Sequence, residues 1–299
     1  MAYKNELILR LQLGDGVITI GGPSSPYRLL ASGLSGMEAP ETVVQTAEHA
    51  HLDGASVISR HVTGREMTVS FEIADHQNRE AHRAALLAFF DPVADGTLTV
   101  TRSTDGNSTT RTAACILSGM PTFTQEHLHA HIRVRVPLYC PDPYFYSETI
   151  TVTNGGRIVP LFAFPATVTE TVGLTGGVHV TEDTVTVYNT GDAPTGFCLR
   201  LTAADAGGNA GTKNVCITRA EDGAYIRIPL TLACGDTLTV STLPGAKYIL
   251  HNGVICMKFD RGSTFFSLLR GKNTLRITAD AALTVPDVRL QFRCRHFGV

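Results

Sequence analysis

The sequence predicts a mainly β protein with two domains, an α+β domain with one helix followed by a β-sandwich. Three observations support this prediction. The chain has 299 residues, a length that accommodates about two domains, each with its own hydrophobic core. Thr is abundant and 28 residues are Gly, and these residue types favour strands and turns over helices. Short alternating apolar segments separated by turn residues recur along the chain.

The first half opens with a predicted hairpin, because alternating segments at 6–13 and 17–20 flank a Gly-Asp-Gly turn at 14–16. Residues 33–56 lack regular periodicity and predict a long loop or arm. Residues 65–73 alternate again, with Met67, Val69, Phe71 and Ile73 on one side. This last pattern is typical of a half-buried strand.

One helix is predicted, over residues 76–90. Asp75 is placed to cap its N-terminus, Leu87 and Phe90 lie three residues apart on its apolar face, and Pro92 ends it. Further strands of the first half are expected at 97–102, 111–117 and 123–139.

The domain boundary is expected near residue 147, because the two prolines of the segment 140–146 interrupt the strand pattern. The domains are therefore 1–147 and 148–299. The second domain contains short predicted strands at 184–188, 198–201, 215–219, 225–228, 237–240, 247–250, 254–259, 274–278 and 289–293. Asn252-Gly253 between two of them predicts a type I′ hairpin turn, and strands of this length and spacing predict a β-sandwich.

Composition argues against several classes of function. Lys and Arg number 25 against 27 Asp and Glu, so no basic excess favours nucleic acid. The longest apolar run, residues 84–90, is far shorter than the ~20 residues that cross a bilayer, and residues 1–12 do not have the pattern of a signal peptide. The seven Cys include no C-x-x-C pair, and most of them lie among Val, Ile and Leu. They predict buried free thiols in a protein made in a reducing cytosol.

No catalytic signature is present in the sequence. The chain contains no G-x-S-x-G, H-E-x-x-H or G-x-x-x-x-G-K motif. The sequence therefore predicts neither an enzyme nor a cofactor.

A strip of alternating His and Arg residues is the sharpest local pattern. His127, His129 and His131 are expected on one strand face with Arg133 and Arg135. Two His separated by one residue can bind one zinc ion, so the three His are candidate metal ligands. They would span about 13 Å of strand at ~3.3 Å per residue, and no further ligand is evident. The preferred interpretation is a polar face against solvent or a neighbouring subunit.

Direct sugar binding is not favoured by the aromatic residues. Trp is absent, and Tyr225 and Tyr248 lie in predicted strands at positions expected in the core. A β-sandwich alone does not establish carbohydrate binding.

Several weak motifs occur in an order that resembles a known family. They are Tyr27-Arg28-Leu-Leu-Ala-Ser-Gly33-Leu34, Gly64-Arg65-Glu-Met-Thr-Val, Asp142-Pro143-Tyr144-Phe145, Cys234-Gly235-Asp236, and Arg295-His-Phe-Gly298-Val299. Together they resemble the distal tail proteins (Dit) of long, non-contractile-tailed bacteriophages and prophages. The resemblance covers essentially the whole chain.

The resemblance implies a tail-tube-like first domain, a β-sandwich or barrel with one helix, that forms a homohexameric ring. It implies a galectin-like β-sandwich as the second domain. The ring would join the tail-tube protein to the tail-tip or tail-associated protein at the distal end of the virion tail, with the tape-measure protein and a receptor-binding protein as further partners. Residues 33–56 match the family's belt-like extension toward neighbouring subunits. The protein would be made in the host bacterial cytoplasm, with no catalytic residues, no sequence-specific nucleic acid and no membrane insertion.

Two other classes remain open on the sequence. A carbohydrate-binding adhesin module would need an exposed groove in the second half, and a hydrolase would need a polar pocket with perturbed titratable groups.

Overall fold

The computed structural model describes residues 6–49, 53–104, 106–125, 131–155, 157–159, 178–180, 184–203, 212–280 and 287–299. The chain divides into two compact units, Met1–Glu148 with Arg295–Val299, and Thr149–Cys294. The last five residues therefore belong to the first unit. The chain passes into the second unit within one long strand and returns within another.

Among the described residues, the first unit contains ten strands and one helix, and the first part of a twelfth element that is shared with the second unit. In chain order these are β1 (Glu6–Leu13), β2 (Gly16–Ile20), β3 (Tyr27–Ser35), β4 (Thr42–Glu48), β5 (Ala55–Val62), β6 (Arg65–Ile73), α1 (Arg79–Phe89), β7 (Gly96–Thr104), β8 (Asn107–Leu117), β9 (Thr122–Thr124), β10 (Arg133–Cys140) and β11 (Phe145–Gly155).

Antiparallel sheets enclose the core of the first unit. One run of strands has the order β2-β1-β7-β8, and another has the order β3-β6-β10, in which β10 also pairs with β8 and β9. The core draws on both runs and on α1, with Leu9, Phe71, Leu86, Leu98 and Phe145 fully buried. The alternation predicted for β6 is confirmed, because Met67, Val69, Phe71 and Ile73 are all buried.

The helix begins later than predicted and buries a different face. It runs from Arg79, and Asp75 accepts hydrogen bonds from the backbone N–H groups of Gln77 and Asn78 in a turn before the helix. Leu86 and Phe90, four residues apart, are buried, whereas Leu87 is 48% exposed. The three-residue spacing therefore selected the wrong apolar face.

The single strand predicted over 123–139 is also wrong. Thr124 pairs with Arg133 and Thr122 with Arg135, so β9 and β10 run antiparallel and the chain reverses between them. From Ile132 to Cys140 the alternation holds, and Arg133 and Arg135 lie exposed on the outer side.

The second unit is built on two antiparallel sheets. Its elements are the rest of β11, β12 (Arg157–Val159), β13 (Val178–Val180), β14 (Thr184–Asn189), β15 (Phe197–Thr202), β16 (Thr212–Arg219), β17 (Tyr225–Leu232), β18 (Thr237–Leu243), β19 (Ala246–His251), β20 (Val254–Ile255), β21 (Gly271–Thr278) and β22 (Asp287–His296). One sheet has the order β22-β15-β18-β19-β20 and the other β14-β21-β16-β17, while β12 and β13 pair with each other. Side chains of both sheets, including Phe197, Leu199, Ile217, Ile226 and Leu275, form one core.

The turn predicted at Asn252-Gly253 is confirmed. Both residues have positive φ, 50° and 81°, as a type I′ turn requires. His251 pairs with Val254 and Leu250 with Ile255 on either side of it.

The mainly β fold class is confirmed by this element order, in which the described residues contain a single helix. No helix in the described part of the chain has the length and apolarity needed to span a bilayer.

Candidate functional site: an exposed hairpin arm

The hairpin of β4 and β5, here called the arm (Thr42–Val62), is the most unusual feature of the first unit. The two strands pair from Thr42↔Val62 to Glu48↔Ala55, and within the described residues they pair with no other strand. The arm therefore overlaps the segment 33–56 that the sequence analysis expects to be irregular. That expectation is wrong for 42–48, which form a strand, and for 33–35, which end β3.

No residue of β4 or β5 is buried. Val43, Val44, Val57 and Ile58 are 41%, 51%, 60% and 67% exposed. An isolated two-stranded hairpin is only marginally stable in water, and clustered exposed apolar side chains mark sites of association with other proteins. The arm has both properties.

Hydrogen bonds within the arm preserve its hairpin form. Ser59 Oγ donates to Gln45 Oε1 at 2.9 Å, and His49 Nε2 lies 2.7 Å from Ser56 Oγ near the tip. A β-bulge separates the pairs on either side of Gln45 and Thr46, and bulges increase the local twist of a strand pair.

Arg65 fixes the base of the arm. Its guanidinium is in a residue only 3% exposed, and it donates to Pro143 O from Nε at 3.0 Å and from Nη2 at 2.7 Å. Nη1 donates to Gly36 O at 2.8 Å and to Glu38 O, and Nη2 also reaches Phe297 O. Burial lowers the pKa of Arg65. One arginine thereby holds three separate stretches of the first unit together.

The last five residues complete the same base. Val299 N donates to Met37 O at 3.2 Å, and the Val299 side chain packs against the core of the first unit. Arg111 donates to the carbonyl of Gly298. A Cβ added to Gly298 would lie 2.9 Å from Met37 O, so this approach requires glycine.

A second cluster surrounds Arg295 at the start of this returning segment. Its guanidinium lies 4.5 Å from the ring centroid of Tyr144, and Nε donates to Tyr146 Oη at 3.0 Å. Tyr146 in turn donates to Asp142 Oδ2. Burial, together with the hydrogen bond to Asp142, raises the pKa of Tyr146 to about 12.

The second unit exposes an apolar rim of its own, here called the 254–259 rim. Val254, Ile255, Met257 and Phe259 are 70%, 68%, 81% and 43% exposed. Tyr248, expected in the core, is 36% exposed instead. The reason is parity, because Ile249 is the buried residue of β19 and its neighbour Tyr248 points to the other side.

Comparison with known protein families gives a match within the second unit and the start of the returning segment. Residues 190–296 match the model of the siphovirus-type tail component, C-terminal domain. The resemblance to siphophage distal tail proteins is thereby confirmed.

Two solved structures share the fold of the whole chain. The Dit protein of phage SPP1, described as a paradigm of the hub of the adsorption apparatus in phages that infect Gram-positive bacteria, is 12% identical with a TM-score of 0.63. That likeness covers 96% of this chain and 98% of the other. A chain of the phage P2 baseplate in its activated conformation with Ca is 8% identical with a TM-score of 0.50, covering 99% of this chain and 100% of the other. No curated protein matches the chain.

The candidate metal ligands named in the sequence analysis are only partly within the described residues. His127 and His129 lie outside the described residues. His131 precedes β10, with its ring centroid 4.2 Å from that of His76 and its Nδ1 3.4 Å from Ile73 O. Within the described ranges, no group of three or more His, Cys, Asp or Glu side chains is arranged to hold a metal ion.

All seven cysteines are free. Burial raises the pKa of Cys115 to about 12 and that of Cys140 to about 11, so neither thiol ionises near neutral pH. Cys234 is exposed. The expectation that most thiols are buried holds only for Cys115, Cys140 and Cys294.

Sequence reasoning missed Arg65 as the residue that organises the base of the arm. The sequence nevertheless contains a pattern that could have identified Arg65. Arg65 has the same parity as Met67, Val69, Phe71 and Ile73, so the alternation places a charged residue on the buried side of β6. A buried arginine needs several acceptors, which identifies it as an anchoring residue.

Proposed function

We propose that this protein is the distal tail hub of a long-tailed bacteriophage or prophage. In this role, copies of the first unit close into a hexameric ring that joins the tail tube to the tail-tip apparatus, with the tape-measure protein as a further neighbour. The role is structural and non-enzymatic. The observation that carries the proposal is the arm, which exposes apolar residues on a hairpin that is firmly anchored at its base.

The arm has the properties of an interface element. Its strands bury no residue within the protomer, although β-branched residues such as Val43, Val57 and Ile58 gain most when they pack against another surface. Arg65 and the segment 295–299 hold only its base. We infer that the arm lies against a neighbouring copy of the chain, where its apolar side chains become buried.

The second unit is proposed as a galectin-like platform at the outside of the ring. Its 254–259 rim is the exposed apolar surface that a receptor-binding protein would cover, since apolar clusters of this kind mark protein contacts. The hub would then be located at the distal end of the virion tail, after synthesis in the host cytoplasm.

Native mass spectrometry of the full chain, alone and with the tail-tip protein of the same phage, tests the ring. The wild type is expected to form hexamers in at least one of the two samples. The double variant Val57→Ser/Ile58→Ser is expected to remain monomeric with an unchanged thermal unfolding midpoint, because these side chains contribute no burial in the protomer.

The matched control is Val254→Ser/Ile255→Ser, which removes similar apolar surface from the other unit and is expected to assemble normally. A wild type that stays monomeric in both samples would overturn the proposal. Hexamers formed by the arm variant would overturn the assignment of the arm.

A further inference from the structure

The outer face of one sheet of the second unit carries an unusual row of side chains. The strand register places residues of five neighbouring strands side by side, in the order Arg289, Arg200, Thr239, Leu250 and Ile255. The next row along the same face contains Gln291, Cys198, Ser241 and Tyr248.

Arg200 and Arg289 are direct cross-strand partners on β15 and β22. Both are exposed, and directly opposite side chains have Cβ atoms about 5 Å apart. Like charges at such a position are destabilising. Within the described residues, neither guanidinium has a hydrogen bond or an ion pair to offset this repulsion.

In the first unit, two exposed arginines in one row of a sheet have an acidic residue between them. On its outer face Arg28 and Arg133 are separated by Glu72, which is the cross-strand partner of both. Arg28 Nε lies 2.9 Å from Glu72 Oε1. Arginines in one row of a sheet of this chain are therefore not always left without a carboxylate between them, and the Arg200/Arg289 pair differs in this respect.

We propose that Arg200 and Arg289 bind a phosphate group, carried as a phosphodiester on a saccharide or polyol polymer. Two planar guanidinium groups carried by directly opposite residues, whose Cβ atoms lie about 5 Å apart, can each present a fork of N–H donors to the oxygens of one phosphate. The anion would convert the repulsion between the two arginines into two attractive contacts.

Polar groups around the pair suit the polymer that carries the phosphate. The Thr239 hydroxyl lies beside Arg200 in the same row. Gln291 lies two residues beyond Arg289 and donates from Nε2 to Thr151 Oγ1 at 3.3 Å. Hydroxyl and amide groups of this kind bind the hydroxyls of sugars or polyols.

The layout disfavours a protein partner at this place. Protein interfaces have an apolar centre and a polar rim. This face has the opposite arrangement, because Arg200 and Arg289 lie on interior strands, whereas its most exposed apolar side chain, Ile255, lies on the edge strand β20.

Titration calorimetry of the full chain at low ionic strength tests the site with four probes. They are poly(glycerol phosphate), inorganic phosphate, an uncharged glucose polymer and poly-glutamate. Poly(glycerol phosphate) is expected to bind the wild type. Arg200→Gln/Arg289→Gln is expected to weaken that binding at least tenfold without lowering the unfolding midpoint, because the substitutions also remove a repulsion.

Arg10→Gln/Arg102→Gln is the matched control, since it removes two exposed strand arginines of the first unit and gives the same change in net charge. Its binding is expected to equal that of the wild type. An equal loss in this control, or no binding of either phosphate probe, would overturn the proposal.

The remaining probes separate the sources of the anion. Inorganic phosphate that binds as tightly as the polymer, and is lost in the same variant, would support the phosphate site but assign it to free phosphate. Poly-glutamate that binds as tightly as the polymer would overturn the phosphate assignment in favour of an acidic protein. Binding of the glucose polymer that survives in Arg200→Gln/Arg289→Gln would overturn the role of the pair.

Discussion

Two arginine sites, one in each unit, use the side chain in opposite ways. In the first unit, Arg65 is buried and donates to carbonyl groups of Pro143, Gly36, Glu38 and Phe297. In the second unit, the Arg200/Arg289 pair is exposed on a sheet face. Arg65 uses its charge to hold its own chain at the base of an apolar arm, whereas Arg200 and Arg289 leave their charge accessible. The two proposals above therefore assign the arm to contact with protein and the Arg200/Arg289 pair to contact with an anion.

The largest effect is expected from Arg65→Ala, which removes the buried guanidinium and all of its hydrogen bonds. Four carbonyl groups would lose their donor, and an unsatisfied buried group costs about 1–3 kcal/mol. We expect the free energy of unfolding of the first unit to fall by about 3–5 kcal/mol in urea titrations followed by circular dichroism. Arg60→Ala on the exposed arm is the control, with an expected change within about 0.5 kcal/mol. A loss below about 1 kcal/mol for Arg65→Ala would contradict the anchoring role.

Separating the two units tests whether each folds by itself. The fragment 149–294 is expected to unfold cooperatively, because it retains the whole of its own core. Deleting 295–299 from the full chain is expected to destabilise only the first unit, by at least about 2 kcal/mol, because the packing of Val299, the contacts of Arg295 and the acceptors at Phe297 and Gly298 are all lost. Differential scanning calorimetry of the fragment 149–294 and of the chain lacking 295–299 measures both effects. A fragment without a cooperative transition would show that the units depend on each other.

A pair of glycines compares the arm with a hairpin of the second unit. Gly54 near the arm tip and Gly253 have φ of 98° and 81°, and an added Cβ meets no atom within 4 Å at either position. Alanine therefore costs only the strained backbone, about 1–2 kcal/mol. Gly253→Ala is expected to lower the stability of the second unit by about that amount. Gly54→Ala is expected to leave global unfolding unchanged, because the arm buries nothing in the protomer. Equal thermal shifts for the two variants would show that the arm belongs to the folded core.

The smallest effect concerns acid stability in the second unit. A hydrogen bond from Arg219 and another from Ala224 N–H lower the pKa of Asp222 to about 2. The ionised carboxylate is thus favoured by folding, so its contribution is complete above about pH 4 and is lost as the pH falls toward 2. Asp222→Asn is expected to flatten this part of the curve of unfolding midpoint against pH. Asp75→Asn in the first unit, where Asn78 lowers the pKa of Asp75, should leave the transition of the second unit unchanged.

Elements with one buried side were predictable from the sequence, and elements without one were not. The strand β6 and the Asn252-Gly253 turn follow from alternation and turn chemistry. The strand β3 was not predictable, because residues 30–33 bulge out between the pairs Leu29↔Phe71 and Leu34↔Val69 and interrupt the alternation of its side chains. The arm strands were not predictable either. Alternation of apolar and polar residues arises when one side of a strand is buried, and β4 buries neither of its sides.

The candidate sites follow the same rule. The positions of Arg200 and Arg289 on outward-facing parity could be read from their strands, but their direct opposition depends on pairing between residues 89 positions apart. The return of Arg295–Val299 to the first unit has no local signal, since the side-chain hydrogen bonds that join it to that unit span between 149 and 232 residues of the sequence.

That return also sets an order of events during synthesis. The first unit begins the chain, yet it is completed only after the whole second unit has left the ribosome. At translation rates of roughly 5–20 residues per second, Arg65 would wait about 12–46 s for the carbonyl of Phe297, which lies 232 residues further along the chain. The base of the arm closes last, so nascent chains would remain unready to join a neighbour until translation had passed both units.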